Sequence, residues 1–486
     1  MVTYQQDLTL HEFTTWTRAQ FMKWIEDPLG QVLVYEYIYG SMSFSLEYPG
    51  PLGEGVFGKA NSNEKLVALA IQANGEAERF VREDGFVKVY NALRTFVENG
   101  EPGHDMGHVL RDVHRAVYML EDPTVKRASQ AEKVAYLLAG MGHDFSTSIV
   151  LRYVDDKIVG HAEVSGYILG RTLEDMGYPN LAVIVAYAAA AHKHNVANMY
   201  YKATELEGSP IIRRPFYPFE LFEQDGVAYG IATVGARFTD RGSIGLMMAL
   251  RHIVAGIGAT LFTKAGDAVD LAGGTAARVA LDDDSNHAIV TPSLESPHEG
   301  KRTMFAHITG YLGSVHPDIG GNIENDYNYY DPMFPRFQNL MMLNQEVWAE
   351  VMNALNEATE RRRGVKSWVG GGVDLDAVWQ EFADLVAWCN LSPHTPLVLA
   401  EVRKYFDMLT PQQVAIWADV LPVMREGYEE LLDWTYQQAL DVCETHPWAP
   451  QLLPVLAAAG EELAYDEDRI EDYLEEADTY YQAQPA

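Results

Sequence analysis

The chain has 486 residues, 48% of them hydrophobic and 22% charged, a balance that excludes a disordered, collagen-like or coiled-coil protein and leaves room for about three domains of ordinary size. Its 36 Lys and Arg stand against 69 Asp and Glu, a net charge of −33, so the surface repels polyanions and duplex nucleic acid is excluded as the principal partner. Only two cysteines occur, Cys389 and Cys443, which rules out a disulfide framework and suits a reducing, cytoplasmic setting.

The N-terminus, MVTYQQDLTLHEFTTW, lacks a basic region followed by an apolar run, so no signal peptide is expected. The first hundred residues mix aromatic segments with the Pro/Gly loop YPGPLGEGVFG at 48–58, followed by helix-like text from Glu64 onward. After the break NGEPG at 99–103, Val109, Val113 and Val117 recur every fourth residue and predict a helix over 105–120. Val134, Leu137, Leu138 and Met141 predict a second over 130–141, and further helices are expected over 161–176 and 181–194. The turn MGYPN separates the last two, and the small residues of AYAAAAH permit close packing.

Residues 195–230 are aromatic and carry Arg213 and Arg214 without a clear period, which reads as an irregular insertion able to cover a pocket. A helix is expected from Ile231 to Phe262, short strands among the Gly, Asp, Asn and Pro of 263–335, and a mostly helical region from Asn339. The acidic run from Glu461 to Asp478 reads as a solvated helix. The longest apolar stretches, Leu181 to Ala191 and Gly245 to Phe262, the second broken by Arg251 and His252, do not meet the requirements of a membrane span. The expected organisation is an N-terminal segment (1–95), a helical domain (96–262), a mixed loop and short-strand region (263–338) and a C-terminal helical region (339–486), so the fold class is mainly all-α.

The chemistry lies in a series of His and Asp residues on consecutive predicted helices: His104 and His108, His143 and Asp144, His161, His192 and His194, and Asp240. Imidazole and carboxylate are the ligands of Fe, Mn, Co, Ni or Zn, and helix bundles build such centres from inward-facing residues. Taken singly, each residue has a plainer use. His143 could be a hydrogen-bonded core histidine, His161 a helix start, His192 a surface residue and Asp240 a cap. The runs AGGTAA at 272–277 and GGG at 370–372 lack the context of a nucleotide-binding loop, and Asp282 to Asp284 lack the spacing of a calcium loop.

Taken in order, these residues resemble the HD-domain superfamily of helical metal-dependent phosphohydrolases. The matching places are His108 early in one helix, LLAGMGHD ending at Asp144, HAEVS at 161–165, AAAAH ending at His192, and Asp240. Successive matches are 35, 17, 31 and 48 residues apart, room for one helix and its connection at each step, with the insertion in the longest. The resemblance covers about residues 95–255. The chain departs from the common pattern in reading HDFSTS, without a lysine three residues after Asp144.

The resemblance implies one ion on His108, His143, Asp144 and Asp240, or two when His161 and His192 join and Asp144 bridges. Iron, manganese, cobalt, nickel, zinc or magnesium are the candidate divalent cofactors. A metal-activated hydroxide would then attack phosphorus in a nucleotide or another small phosphorylated metabolite. His104, one turn before His108, is similar in position to a general acid, with the capping of a helix as its plainer reading. Lys193, Arg213, Arg214, Arg237 and Arg241 are candidate substrate contacts, or surface ion pairs, and His194 is a substrate contact or a reserve metal ligand. Asp112 could orient His108 as a hydrogen-bond acceptor, or pair with Arg115. The N-terminal segment, the insertion and the C-terminal half would shape the pocket or an oligomer interface. The rival functions are a diiron oxygenase using the same ligands and a non-catalytic scaffold.

Overall fold

Helices make up 83% of the described residues, in keeping with the all-α reading. The computed structural model describes residues 24, 28–40, 55–60, 62–97, 105–143, 160–191, 222–233, 373–393, 395–407 and 411–483. Two compact units are built from interleaved parts of the chain. One draws on 1–100, 112–240 and 438–459, the other on 101–111, 241–437 and 460–486.

The first unit contains α1 (Pro28–Tyr39), α2 (Val56–Lys59), α3 (Asn63–Arg82), α4 (Gly85–Val97), most of α5 (Met106–Tyr118), α6 (Pro123–Lys126), α7 (Gln130–Gly142), α8 (His161–Asp175) and α9 (Pro179–Ala190). Every side chain of α9 from Leu181 to Ala190 is buried, because it packs on α8, α3 and α7. Small residues allow the closest of these approaches. A methyl group on Gly166 of α8 would lie 2.7 Å from the carbonyl oxygen of Ala186 and 2.9 Å from the Cβ of Ala190, so the AYAAAA run packs directly against glycine.

Helix ends are closed by side chains from neighbouring elements. Glu76 of α3 accepts from the backbone N–H groups of Asn180 and Leu181, each at 2.9 Å, setting a carboxylate at the positive end of α9. Asn74 accepts from Ala131 N–H and Ser129 from Glu132 N–H at the start of α7. Glu163 of α8 is fully committed: it accepts from Gly160 N–H at 3.0 Å and from the Tyr39 hydroxyl at 2.7 Å.

Two elements differ from the sequence reading. The end of the supposedly irregular insertion is a hairpin, β1 (Phe222–Gln224) paired antiparallel with β2 (Val227–Tyr229). Its turn is Asp225-Gly226, both at positive φ, as a two-residue hairpin of this kind requires. A helical stretch over 28–39 was also not anticipated. The helix predicted over 181–194 starts earlier, at Pro179, and ends at Ala190, where Ala191 turns out of it. The helix expected over 231–262 is described only at 231–233. The short strands expected over 263–335 lie outside the described residues.

The second unit contains the first turn and a half of α5, α10 (Leu375–Cys389), α11 (Thr395–Phe406), most of α12 (Pro411–Thr445), the end of α13 (Ala449–Leu463) and α14 (Glu467–Ala483). Trp379, Phe382 and Phe406 form one aromatic cluster. Trp388 forms another with Tyr428 and Tyr465, its indole N–H donating to the carbonyl of Leu463 at 3.1 Å. The expected acidic helix is α14, which buries Ile470 and Ala477 and exposes most of its carboxylates. Among the described residues no helix is long and apolar enough to cross a membrane.

Candidate metal centre

Helix α5 begins with Asp105, whose carboxylate accepts from the backbone N–H of His108 at 3.3 Å. The four-residue step from His108 to Asp112 puts both side chains on one face of α5, a turn apart. The opposite need, a core-facing stripe, is met by Val109, Leu110, Val113 and Val117, all at most 3% exposed.

Helix α7 runs to Gly142, and His143 follows as its C-terminal cap. The backbone N–H of His143 donates to the carbonyl of Ala139, and its Nδ1 lies 2.9 Å from the same oxygen. A carbonyl can only accept, so Nδ1 carries the proton and Nε2 is the lone-pair nitrogen. This is the outer hydrogen bond by which proteins orient a ligating imidazole.

His108, Asp112 and His143 come together. One ligand atom from each lies within 4.8 Å of the other two, and all three residues are 1% exposed. Three ligand atoms on a tetrahedral ion with bonds of about 2.0–2.2 Å stand about 3.5 Å apart. Side-chain shifts of about 1 Å bring the set onto one ion, and two imidazoles with one carboxylate are the right chemistry for a borderline transition metal. The residues present fit a divalent ion. Tyr136, two turns before His143 on α7, is fully buried; its hydroxyl is held protonated by burial and by the negative charges of Asp122 and Asp112.

Of the ligands expected from sequence, His108 and His143 are thus brought together. His161 opens α8 as expected, but its side chain is not among those described. His104, Asp144, His192, Lys193, His194, Arg213, Arg214, Arg237, Asp240 and Arg241 lie outside the described residues.

Two buried polar features were not anticipated. Glu132, at the start of α7, is 0% exposed and accepts from the backbone N–H of Gly230 at 3.4 Å and of Ala232 at 3.2 Å. Burial pushes its carboxyl up to about 7, against the opposing pull of those N–H donors. The hairpin is further tied to the start of α7 by Ala228 N–H donating to Arg127 O, and by the Arg127 to Glu223 ion pair at 2.7 Å. In the second unit, the buried Arg111 donates from Nη1 to the carbonyl of Cys389 at 3.1 Å and to the hydroxyl of Tyr428 at 3.3 Å. It thereby closes the C-terminal end of α10 with a cation. A methyl group on Gly107 would stand 3.1 Å from that Nη1, 3.2 Å from Asp105 Oδ1 and 3.3 Å from Cys389 O, so only glycine leaves space for this junction.

Comparison with protein-family models, with curated proteins and with solved structures gives no match. The functional reading therefore rests on the residues and their geometry.

Proposed function

We propose that the chain is a metal-dependent hydrolase of phosphate esters or anhydrides, acting on a nucleotide or another small phosphorylated metabolite. The observation that carries this reading is the convergence of His108, Asp112 and His143, within 4.8 Å of one another, on a fully buried spot in a helical scaffold. The HD-like order of His and Asp along the sequence supports it. So does the charge of −33, since a cation inside the site reverses the local sign for an anionic substrate that the surface repels.

The residues that would hold the ion are His108 and His143, joined in the HD-like pattern by Asp144 and Asp240 and, for a second ion, His161 and His192. A divalent ion there supplies Lewis acidity and makes water acidic enough to serve as a nucleophile near neutral pH. His143 contributes a fixed tautomer, held by Ala139 O. His104, two residues before α5 in the sequence, is assigned the proton delivered to the leaving oxygen. Two buried free cysteines, Cys389 and Cys443, are in keeping with work in a reducing compartment such as the cytoplasm.

The presence of a carboxylate beside two imidazoles also suits iron and dioxygen, which makes oxygenation the second reading. One experiment separates them. The full chain, stripped with a chelator and reloaded with manganese, iron, zinc or magnesium, is screened against phosphorylated compounds while oxygen uptake is followed. Phosphate release that disappears in His143→Ala and Asp144→Ala is the expected result. Oxygen uptake with iron and no phosphate release would replace hydrolysis by oxygenation, and neither activity with any metal would overturn both.

A further inference from the structure

A carboxylate one helical turn from a ligating histidine can play either of two roles. It can accept from the ring nitrogen that faces away from the ion and so orient the imidazole, or it can bind the ion itself. The two roles place it differently. An acceptor on the outer edge of a ring lies about 6 Å or more from the ion, and so well away from the other imidazole that shares that ion. A direct ligand stands close to the ligating nitrogens of both rings.

In this structure one oxygen of Asp112 lies within 4.8 Å of ring nitrogens of both His108 and His143, although the two histidines belong to different helices. On the His143 side the nitrogen open to an ion is Nε2, since Nδ1 is engaged with Ala139 O. Asp112 is 1% exposed, and a buried carboxylate between two imidazoles gains most when a cation joins the three. The four-residue step is also the spacing at which one helix offers two ligands to one ion from adjacent turns.

We propose that Asp112 is a direct metal ligand: His108 and Asp112 chelate the ion from consecutive turns of α5, and His143 closes the set from the end of α7. The assignment rests on the metal-centre reading above and adds to it a ligand that the HD-like pattern places elsewhere, at positions 144 and 240.

The test is cobalt(II) bound to the full-length chain, read by visible absorption, by X-ray absorption fine structure and by direct titration, for wild type, Asp112→Asn, Asp112→Glu and His143→Ala. Circular dichroism checks that each variant is folded. Direct ligation predicts that Asp112→Asn binds cobalt at least about 100-fold more weakly with altered ligand-field bands and one fewer oxygen neighbour. It also predicts that Asp112→Glu restores much of the affinity with shifted bands. If Asp112→Asn does not fold, Asp112→Glu alone decides, since lengthening a ligand shifts the bands strongly whereas lengthening an outer acceptor leaves them nearly in place. An affinity loss with bands identical to wild type in Asp112→Asn and Asp112→Glu makes Asp112 an orienting acceptor and overturns the proposal while leaving the metal centre intact. Failure of the wild-type chain to bind cobalt removes both.

Discussion

Glu132 makes stability depend on pH in a direction opposite to that of an ordinary paired carboxylate. Its carboxyl is pushed from 4.5 up to about 7, first by burial and against the backbone N–H groups of Ala232, Gly230 and Ile231. Below about 4.5 the group is protonated whether the protein is folded or not, and it imposes no pH dependence. Between 4.5 and 7 the unfolded chain gives up its proton while the folded chain keeps it, so stability falls as pH rises. Above 7 the loss is complete. A gap of about 2.5 units at about 1.4 kcal/mol each gives about 3 kcal/mol as the order of magnitude. Glu132→Gln keeps an acceptor for one N–H and cannot ionise, so the difference in unfolding free energy between wild type and variant should change by about that amount between pH 5 and pH 8. Urea unfolding at half-unit pH steps measures it, and the difference cancels the histidines common to both proteins. Parallel pH profiles for the two proteins would show that Glu132 titrates alike in the folded and unfolded chain.

Gly166→Ala should lower stability by about 1–3 kcal/mol, because the added methyl meets the backbone of α9. Gly75→Ala on α3, where nothing lies within 4 Å of the new methyl, should instead raise it by about 0.5–1 kcal/mol; thermal unfolding of the two variants compares them directly. Arg111→Met removes the cation beside the buried Asp105 and the closure of α10, and should cost about 3–5 kcal/mol in chemical denaturation, with part recovered in the double variant Arg111→Met/Asp105→Asn. Divalent metal should raise the thermal midpoint of the wild-type chain, a chelator should reverse the gain, and the gain should shrink in acid as the imidazoles take up protons. His143→Ala should show none of it.

The helices around the site were legible because their signals are local. Val109, Val113 and Val117 mark the buried stripe of α5, and the apolar run ending at His143 marks α7 to within one residue. The hairpin was legible too, in the Asp225-Gly226 pair, but the aromatic and charged residues before it masked a signal only two residues long. Glu132 gave no warning, since its partners are backbone N–H groups a hundred residues away, which no side-chain pattern records. Asp112 is intermediate. Its four-residue distance from His108 announces a shared face, but whether that face turns toward His143 depends on how α5 and α7 pack. Pairing with Arg115, one turn on, was equally open from spacing alone.

In the proposed centre, residues 35 positions apart in the chain clasp one ion. Anomalous diffraction from crystals of the full chain grown with cobalt or manganese, collected at the metal's absorption edge, tests it most directly. A single strong peak about 2.0–2.2 Å from His143 Nε2 and from a ring nitrogen of His108 is the expected result. Well-ordered His108 and His143 side chains with no anomalous density between them, in crystals soaked in excess metal, would contradict it.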